Sequence, residues 1–302
     1  MNTNLKTDGE LFGLNKYFIE FSKLIHKNKI PKVIMFSGKK GIGKYTLAHH
    51  LLSYYLDRSN YNDNEFKIND NNIYYKSPNE IMYPNIVYLS GNEKVSIENI
   101  RKLRSDLQKT TIDNGVRFII LDDVEKFNLN SSNALLKIIE EPTVFNYFIL
   151  INNKTKEVLE TIKSRSIEFK IFLKDLDRKK IIEKLISNND IDSKIDYKNS
   201  HITPGDYLEF NNICLESNLS VDTDLLNNVE KLFKLYKGKR DLKYLRFSIF
   251  LINYHYFIQH KKNKTNEDVY LKRSSIIKKI NYMSDFNLNS NNIFNDIESI
   301  MK

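Results

Sequence analysis

The sequence predicts an α/β protein in which a doubly wound, parallel-sheet domain precedes a region built only of helices. Strand-like apolar runs alternate with helical patterns between residues 33 and 172, which is typical of a parallel sheet covered by helices. The first run leads into a glycine-rich stretch at residues 37–46, which reads S-G-K-K-G-I-G-K-Y-T. After Leu173 the strand-like runs stop, so the remainder is expected to be helical.

The individual elements follow from hydrophobic periodicity and from helix caps and breakers. The strands are predicted at residues 33–36, 85–89, 118–121, 147–151 and 167–172, with one more near 73–75 inside a loop-rich insertion at 57–84. The helices are predicted at residues 11–28, from the glycine loop to 56, 96–108 (cap Ser96), 133–141 (cap Ser131), 157–163, 177–188, 206–217, 223–237, 240–260, 268–283 and 291–301.

The glycine-rich stretch has the composition of a phosphate-binding loop. Gly38, Gly41 and Gly43 allow the backbone to turn its N–H groups inward around a phosphate, at the positive end of the helix that follows. Lys44 would supply a point charge to the outer phosphates. The alternative is a glycine turn that only packs a strand against a helix.

One position of this loop departs from the usual pattern. A Walker loop has Ser or Thr directly after the lysine, where the hydroxyl ligates magnesium, and this sequence has Tyr45. Thr46 comes one place too late, about 100° further around a helix. The loop is therefore expected to lack its magnesium hydroxyl.

An acidic pair, Asp122-Asp123, ends the apolar run at 118–121. A Walker B strand ends in an acidic residue that holds magnesium, and in motor ATPases a glutamate follows and orients the attacking water. Asp123 takes that second place with a side chain one methylene shorter, and a displacement of about 1 Å can lower a rate by about a hundredfold. The alternative is two solvated acids at a strand end.

Composition limits the class of protein. The formal charge is +9, but only nine of the 47 basic residues are Arg, and the abundance of Lys, Asn and Ile indicates a compositional bias as readily as a nucleic-acid site. The single cysteine, Cys214, excludes an internal disulfide and fits a reducing compartment. The polar residues 1–9 lack a signal core, and the apolar stretch 242–258 is too short and too polar to cross a bilayer. A cytoplasmic protein is expected.

Two further motifs make a resemblance specific. The segments N-A-L-L-K-I-I-E-E-P at 133–142 and T-I-K-S-R-S at 161–166, together with the loop at 38–46, resemble clamp-loader ATPase domains. Ser166 stands where the second motif of that family has a cysteine. Together these segments resemble bacterial DNA polymerase III delta-prime subunits, which are members of the AAA+ superfamily. The resemblance is clear over residues 11–172 and weaker beyond them.

The resemblance implies an organisation and a function. It implies an AAA+ P-loop domain at 1–172, a small helical lid at 173–218 and a helical collar at 219–302 that forms oligomers. Such a subunit joins motor subunits of the gamma/tau type and a delta subunit, and helps to load the sliding clamp on primed DNA within the DNA polymerase III holoenzyme, a nucleotidyltransferase complex. Arg165, in the second motif, would reach across a subunit interface to the neighbour's ATP.

Three departures from the family bear on the chain's own nucleotide site. Tyr45 and Asp123 replace the magnesium hydroxyl and the catalytic glutamate. Relatives that bind ATP have an arginine after a Pro-Gly pair, whereas Asp206 follows Pro204-Gly205 here. Weak ATP or ADP binding at most, no hydrolysis by the chain itself and no required cofactor are therefore expected.

The family often carries a four-cysteine zinc module between the P-loop helix and the next strand. The matching residues, 57–84, contain no cysteine. The adjacent His49 and His50 lie on different helix faces and lack the spacing for chelation. No zinc or other metal site is expected.

Two other functions stay open at this point. The chain is alternatively a motor ATPase of the gamma/tau type that turns over nucleotide in its own loop. A third possibility is a DNA-binding module carried by basic residues of the helical half, Lys237, Lys239, Arg240 and Lys243, which otherwise form a solvated face.

Overall fold

The computed structural model describes residues 9–72, 85–91, 97–108, 115–221, 224–262 and 267–301. The chain divides into two compact units. The first consists of Met1–Asn189 with Thr203–Gly205, and the second of Asp190–Ile202 with Asp206–Lys302. The predicted division into three domains, at residues 172 and 218, stays a prediction.

The first unit contains seven strands and six helices in its described part. The strands are β1 (Val33–Ser37), β2 (Tyr61–Asn62), β3 (Lys67–Ile68), β4 (Ile86–Ser90), β5 (Arg117–Asp122), β6 (Asn146–Asn152) and β7 (Ile167–Lys170). The helices are α1 (Asn15–His26), α2 (Lys44–Leu56), α3 (Ile97–Leu107), α4 (Leu129–Ile139), α5 (Glu160–Lys163) and α6 (Asp175–Asn189).

Five of the strands form one parallel sheet in the order β4-β5-β6-β1-β7. Successive residues of the central strands point to opposite faces, and both faces are buried. In β1, Ile34 and Phe36 pack into one core cluster, whereas Val33 and Met35 pack into the other. Burial on both faces explains why these strands read as continuous apolar runs, and the predicted parallel sheet is confirmed.

The second unit is helical in its described part. The helix α7 (Pro204–Ser217) begins in the Thr203–Gly205 segment of the first unit. Four further helices, α8 (Leu225–Lys239), α9 (Lys243–Lys262), α10 (Glu267–Asp285) and α11 (Ser290–Met301), pack against one another. The predicted helical second half is therefore confirmed. Among the described residues no helix has the length and apolarity to span a bilayer.

Several predicted boundaries change in the structure. The helix predicted at 133–141 begins earlier, at Leu129, and its cap is Asn128, whose side chain accepts a hydrogen bond from the Ser131 N–H at 2.8 Å. The prediction of Ser131 as the cap is thus wrong, because that residue lies in the first turn. The helix predicted at 157–163 begins later, at Glu160, and consists of the four residues of α5. The strand predicted at 167–172 ends at Lys170. Ser96 and residues 73–84 lie outside the described residues.

Aromatic packing holds a short hairpin, β2–β3, where the loop-rich insertion was predicted. The Tyr61 ring stacks on Phe18 of α1 at 5.1 Å between centroids and meets Tyr54 of α2 edge-on at 5.3 Å. The buried Nδ1 of His50 lies 3.0 Å from the Tyr61 hydroxyl. The hairpin is therefore fixed by rings from both neighbouring helices.

The loop after β1 passes very close to the backbone that follows β7. A Cβ atom added at Gly38 would lie 2.4 Å from the Ile171 carbonyl oxygen. Only glycine fits this approach. By contrast, a Cβ atom at Gly238 in α8 would meet nothing within 4 Å.

The two glycines give a matched test. Gly38→Ala should lower the free energy of unfolding by about 1–3 kcal/mol, because backbone must move to admit the methyl group. Gly238→Ala should raise it by up to about 1 kcal/mol, since alanine restricts the unfolded chain and suits a helix. Urea unfolding of both variants measures the difference. Equal effects at the two positions would contradict the close approach.

His50 gives a pH-dependent test. Burial lowers the pKa of His50 from 6.5 to about 3, so the folded state holds the neutral imidazole. Its contribution to stability is complete above the unfolded pKa of 6.5 and is lost as the pH falls from there towards 3. As the pH falls below 6.5, the free energy of unfolding should therefore decrease in both proteins, but more steeply in the wild type than in His50→Gln. The difference between the two slopes should be about 1.4 kcal/mol per pH unit.

Urea unfolding at about pH 7.5 and pH 5.5 measures this difference in slope. The control is His260→Gln, at an exposed position, which should keep the slope of the wild type. An identical slope in the wild type and His50→Gln would contradict the buried neutral imidazole.

Candidate functional site

The glycine loop connects β1 to α2 at the carboxyl edge of the sheet. Gly41 and Gly43 have φ angles of +77° and +92°, which side chains rarely allow. The helix α2 begins directly after them, at Lys44, so its first N–H groups face the loop. The local geometry is that of an anion cradle.

The Lys44 ammonium group lies inside this cradle. It donates to the Gly38 carbonyl oxygen at 2.8 Å and to the Lys39 carbonyl oxygen at 2.7 Å, and the residue is only 3% exposed. Burial lowers its pKa to about 8, although the charges of nearby acidic side chains oppose the shift. Lys44 therefore remains mostly cationic at neutral pH. Two of its three N–H groups are used, and the third is available to a ligand.

Tyr45 occupies the position where a Walker loop has Ser or Thr, and it packs against another tyrosine. Its ring meets Tyr88 of β4 edge-on, with 5.4 Å between centroids, and lies nearly parallel to the His49 ring at 6.2 Å. Burial raises the pKa of the Tyr45 phenol above its usual value, so the phenol stays neutral. Thr46 is exposed.

Asp122 ends β5, and both of its carboxylate oxygens accept hydrogen bonds. Oδ1 accepts from the Asp123 N–H at 2.8 Å and from Asn153 Nδ2 at 3.2 Å, and Oδ2 accepts from the Tyr88 hydroxyl at 3.3 Å. Burial, and then the charge of Asp123, raises the pKa of Asp122. The acid that a Walker site offers to magnesium is held here by protein donors.

Asp123 has a left-handed backbone, with φ +54°, and is buried. It forms an ion pair with Lys126 at 3.0 Å and accepts from Asn153 Nδ2 at 2.7 Å. Burial alone would raise its pKa, but Lys126 and Asn153 outweigh burial and lower it. Asp123 is therefore an ionised, paired carboxylate.

Asn153 and Glu125 belong to the site although neither was predicted from the sequence. The Asn153 amide bridges the two aspartates, and its backbone N–H donates to Glu125 Oε2 at 3.1 Å. Thr155 Oγ1 donates to the other Glu125 oxygen at 2.8 Å. The available signal was the polar pair Asn152-Asn153 after an apolar strand, because the carboxyl ends of neighbouring parallel strands meet at one edge.

The Pro204-Gly205 pair touches the loop directly. The Gly205 N–H donates to the Gly41 carbonyl oxygen at 2.9 Å, and a Cβ atom at Gly205 would lie 2.7 Å from the Gly41 Cα atom. Both glycines lie in the first unit. Asp206, which follows this pair where ATP-binding relatives have an arginine, lies in the second unit and pairs with Arg246 there.

Arg165 lies in the turn between α5 and β7, away from the cradle. The register of the sheet sets Ile167 beside Ile34 and Lys170 beside Ser37, so β7 runs from Arg165 towards the loop. Arg165 precedes Lys170, the residue paired with Ser37, by five positions. At about 3.3 Å per residue, it therefore lies more than about 10 Å from Ser37 along the strand direction. The structure thus brings Lys44, Asp122 and Asp123 together at the carboxyl edge of the sheet. Arg165 lies towards the opposite edge.

The Arg165 guanidinium is accessible at that position. It donates from Nη2 to Glu140 Oε1 at 2.8 Å and from Nη1 to the Thr161 carbonyl oxygen at 3.2 Å. The side chain is 35% exposed and that of Glu140 is 56% exposed. The guanidinium is therefore not buried in a core.

No metal cluster is apparent in the described ranges, where no group of three or more His, Cys, Asp or Glu side chains is placed to bind an ion. The predicted absence of zinc stays a prediction. In the helical unit, Arg240 donates to Asn287 Oδ1 at 2.7 Å and Lys243 pairs with Asp241 at 3.4 Å, so part of the basic face has partners within the unit.

Comparison with known proteins places these features in a family. Residues 13–174 match the family model described as DNA polymerase III, delta subunit. The chain is 32% identical to the delta-prime subunit of DNA polymerase III from Pseudomonas aeruginosa over 26% of this chain and 24% of that protein. It is 23% identical to the gamma subunit from Buchnera aphidicola subsp. Acyrthosiphon pisum over 54% of this chain and 44% of that one.

A solved gamma subunit-related protein of DNA polymerase III from Thermotoga maritima is 15% identical, with a TM-score of 0.49, over 94% of this chain and 97% of that chain. The chain spans less than half the length of the curated relatives named above. The family model covers more than half of the chain, from just before α1 to just after β7. The chain therefore belongs to the DNA polymerase III delta subunit family, among the clamp-loader proteins of that polymerase.

Proposed function

We propose that the chain is a delta-prime-like clamp-loader subunit. In this role it has a degenerate nucleotide site of its own and presents Arg165 to the ATP of a neighbouring subunit. Its partners are motor subunits of the gamma/tau type, a delta subunit, the sliding clamp and primed DNA, in the cytoplasm of a bacterium. The membership of the family and the delta-prime names among its relatives support this role.

The position of Arg165 is the observation that carries the proposal. The side chain is exposed and lies away from the chain's own cradle, so a phosphate that it contacts belongs to another molecule. Its ion pair with Glu140 is exposed, and such pairs contribute only about 0–1 kcal/mol. Arg165 could therefore leave Glu140 and bind a phosphate with little loss of free energy. A planar guanidinium suits the charge on a transferring phosphoryl group.

The contacts within the chain's own cradle support a loss of hydrolysis. Tyr45 has no hydroxyl placed as Ser or Thr would place it, and both oxygens of Asp122 accept hydrogen bonds from protein groups. Asp123 pairs with Lys126, which lowers its capacity to act as a base. A subunit with this site contributes to the complex through contacts and through Arg165.

The helical second half serves, in this proposal, as the oligomerising part of the chain. Residues 219–302 would form the collar and residues 173–218 the lid. The mutual packing of α8, α9, α10 and α11 gives a helical bundle suited to subunit assembly.

The second candidate function is a motor ATPase. Relatives named gamma and tau also match the chain, and Lys44 keeps its place in the cradle. A motor would hydrolyse ATP in its own loop, whereas a delta-prime-like subunit would not.

The role of Arg165 is tested in the reconstituted complex. Arg165→Ala should lower ATP turnover at the neighbouring site by about 10³-fold or more, as loss of an arginine finger does, and clamp loading should fall with it. Single-turnover ATP hydrolysis and a clamp-loading assay measure the two effects. Glu140→Gln is the matched control, because it removes the partner and keeps the guanidinium. Wild-type turnover and loading in Arg165→Ala would contradict the proposal.

The motor candidate is tested on the purified chain. If the chain is a delta-prime-like subunit, the ATP turnover of the purified wild type should equal that of Lys44→Ala. The reason is that the cradle lacks a hydroxyl to ligate magnesium and an unpaired catalytic acid. Phosphate release in the presence of magnesium measures it. Turnover in the wild type that Lys44→Ala abolishes would support the motor ATPase instead.

A further inference from the structure

We propose that the cradle binds a nucleoside diphosphate without a divalent cation, and that Tyr45 and Tyr88 are the residues that exclude the metal. This inference rests on the degenerate nucleotide site of the proposed function and specifies its ligand. It is independent of the role of Arg165, which lies in the turn between α5 and β7.

The anion-binding half of the site is intact. The left-handed Gly41 and Gly43 and the start of α2 are in place, and Gly205 fixes the Gly41 carbonyl from outside the loop. The backbone carbonyls of Gly38 and Lys39 orient the Lys44 ammonium and leave one of its N–H groups for a ligand. A phosphate would enter a cradle that needs little rearrangement.

The metal-binding half of the site does not fit magnesium. Magnesium requires octahedral oxygen coordination and in P-loop sites is held by the loop hydroxyl and a strand-end aspartate. At the first position the Tyr45 ring packs against Tyr88. At the second, Asp122 accepts hydrogen bonds from Tyr88, Asn153 and a backbone N–H. Turning Asp122 towards a cation would break the hydrogen bonds that it accepts from Tyr88 and from the Asp123 N–H, which is unfavourable.

The acids that surround the cradle select against a third phosphate. The charges of Asp122, Glu125 and Asp123 all act on Lys44, so these side chains lie within electrostatic reach of the cradle. In an ordinary site the cation offsets the repulsion between such acids and the outer phosphate. Without a cation the outer phosphate of ATP would face these carboxylates directly. A diphosphate keeps the contacts with the loop and avoids that repulsion.

Calorimetric titration of the full chain with ADP and with ATP, each in excess magnesium and in EDTA, tests the inference. The wild type should bind ADP with affinities that agree within about twofold in the two conditions, and should bind ATP at least about tenfold more weakly than ADP. Lys44→Ala should weaken ADP binding by at least about tenfold, which would assign the binding to this loop.

A double variant tests the two tyrosines. Tyr45→Ser with Tyr88→Phe introduces the hydroxyl and removes the donor to Asp122, so ADP binding should become at least about tenfold tighter in magnesium than in EDTA. Tyr282→Ser, at an exposed tyrosine of the second unit, is the control and should leave ADP binding unchanged. Circular dichroism establishes that each variant is folded.

Three results would overturn the inference: no saturable ADP binding to the wild type, ADP binding to the wild type that magnesium tightens tenfold, or ATP binding as tight as ADP binding in EDTA. The wild-type titrations alone decide whether the diphosphate binds without a metal, so misfolding of a variant would not leave that untested. Equal ADP affinity of the folded double variant in magnesium and in EDTA would overturn the assignment of metal exclusion to Tyr45 and Tyr88. None of them bears on Arg165→Ala in the complex. Failure here is thus distinguishable from failure of the trans-acting arginine.

Discussion

The structure depends on how the first unit satisfies the buried polar groups at the carboxyl edge of its parallel sheet. Of the five strands that end there, β1, β5 and β6 lead into the largely buried Lys44, Asp123 and Asn153. Buried charges are unfavourable unless paired or hydrogen-bonded. The Asn153 amide contacts both Asp122 and Asp123 and so joins the ends of β5 and β6. This network sets what the site can bind.

The same edge of the sheet also carries structural contacts of the glycine loop. The glycine loop contributes to the fold as well as to the site, because Gly38 lies against the backbone of Ile171 and Gly41 accepts a hydrogen bond from Gly205. At the position where a Walker loop has Ser or Thr, the Tyr45 ring packs against Tyr88. The loop and Tyr45 therefore have packing roles that do not depend on a bound metal.

A parallel sheet also separates two kinds of site in space. All its strands point in one direction, so loops that follow strands gather at one edge and turns that precede them gather at the other. Lys44 and the acids lie at the first edge. Arg165 precedes β7 and lies towards the second, held by an exposed partner, Glu140. The polarity of the sheet makes Arg165 unsuitable for the chain's own cradle and accessible to another molecule.

The sequence alone determined the features that depend on neighbouring residues: the buried strands, the glycine loop, the presence of Tyr45 where a Walker loop has Ser or Thr, and the helical second half. Their signals are local, since periodicity and glycine spacing lie within a few residues. Only the tertiary structure decided that Asn153 bridges the aspartates, that Tyr88 donates to Asp122 and that Gly205 rests on Gly41. These contacts join residues far apart in the chain. Strand order and register, which periodicity does not encode, bring Asn153 and Tyr88 to Asp122, and the placement of the Pro204-Gly205 segment against the loop brings Gly205 to Gly41.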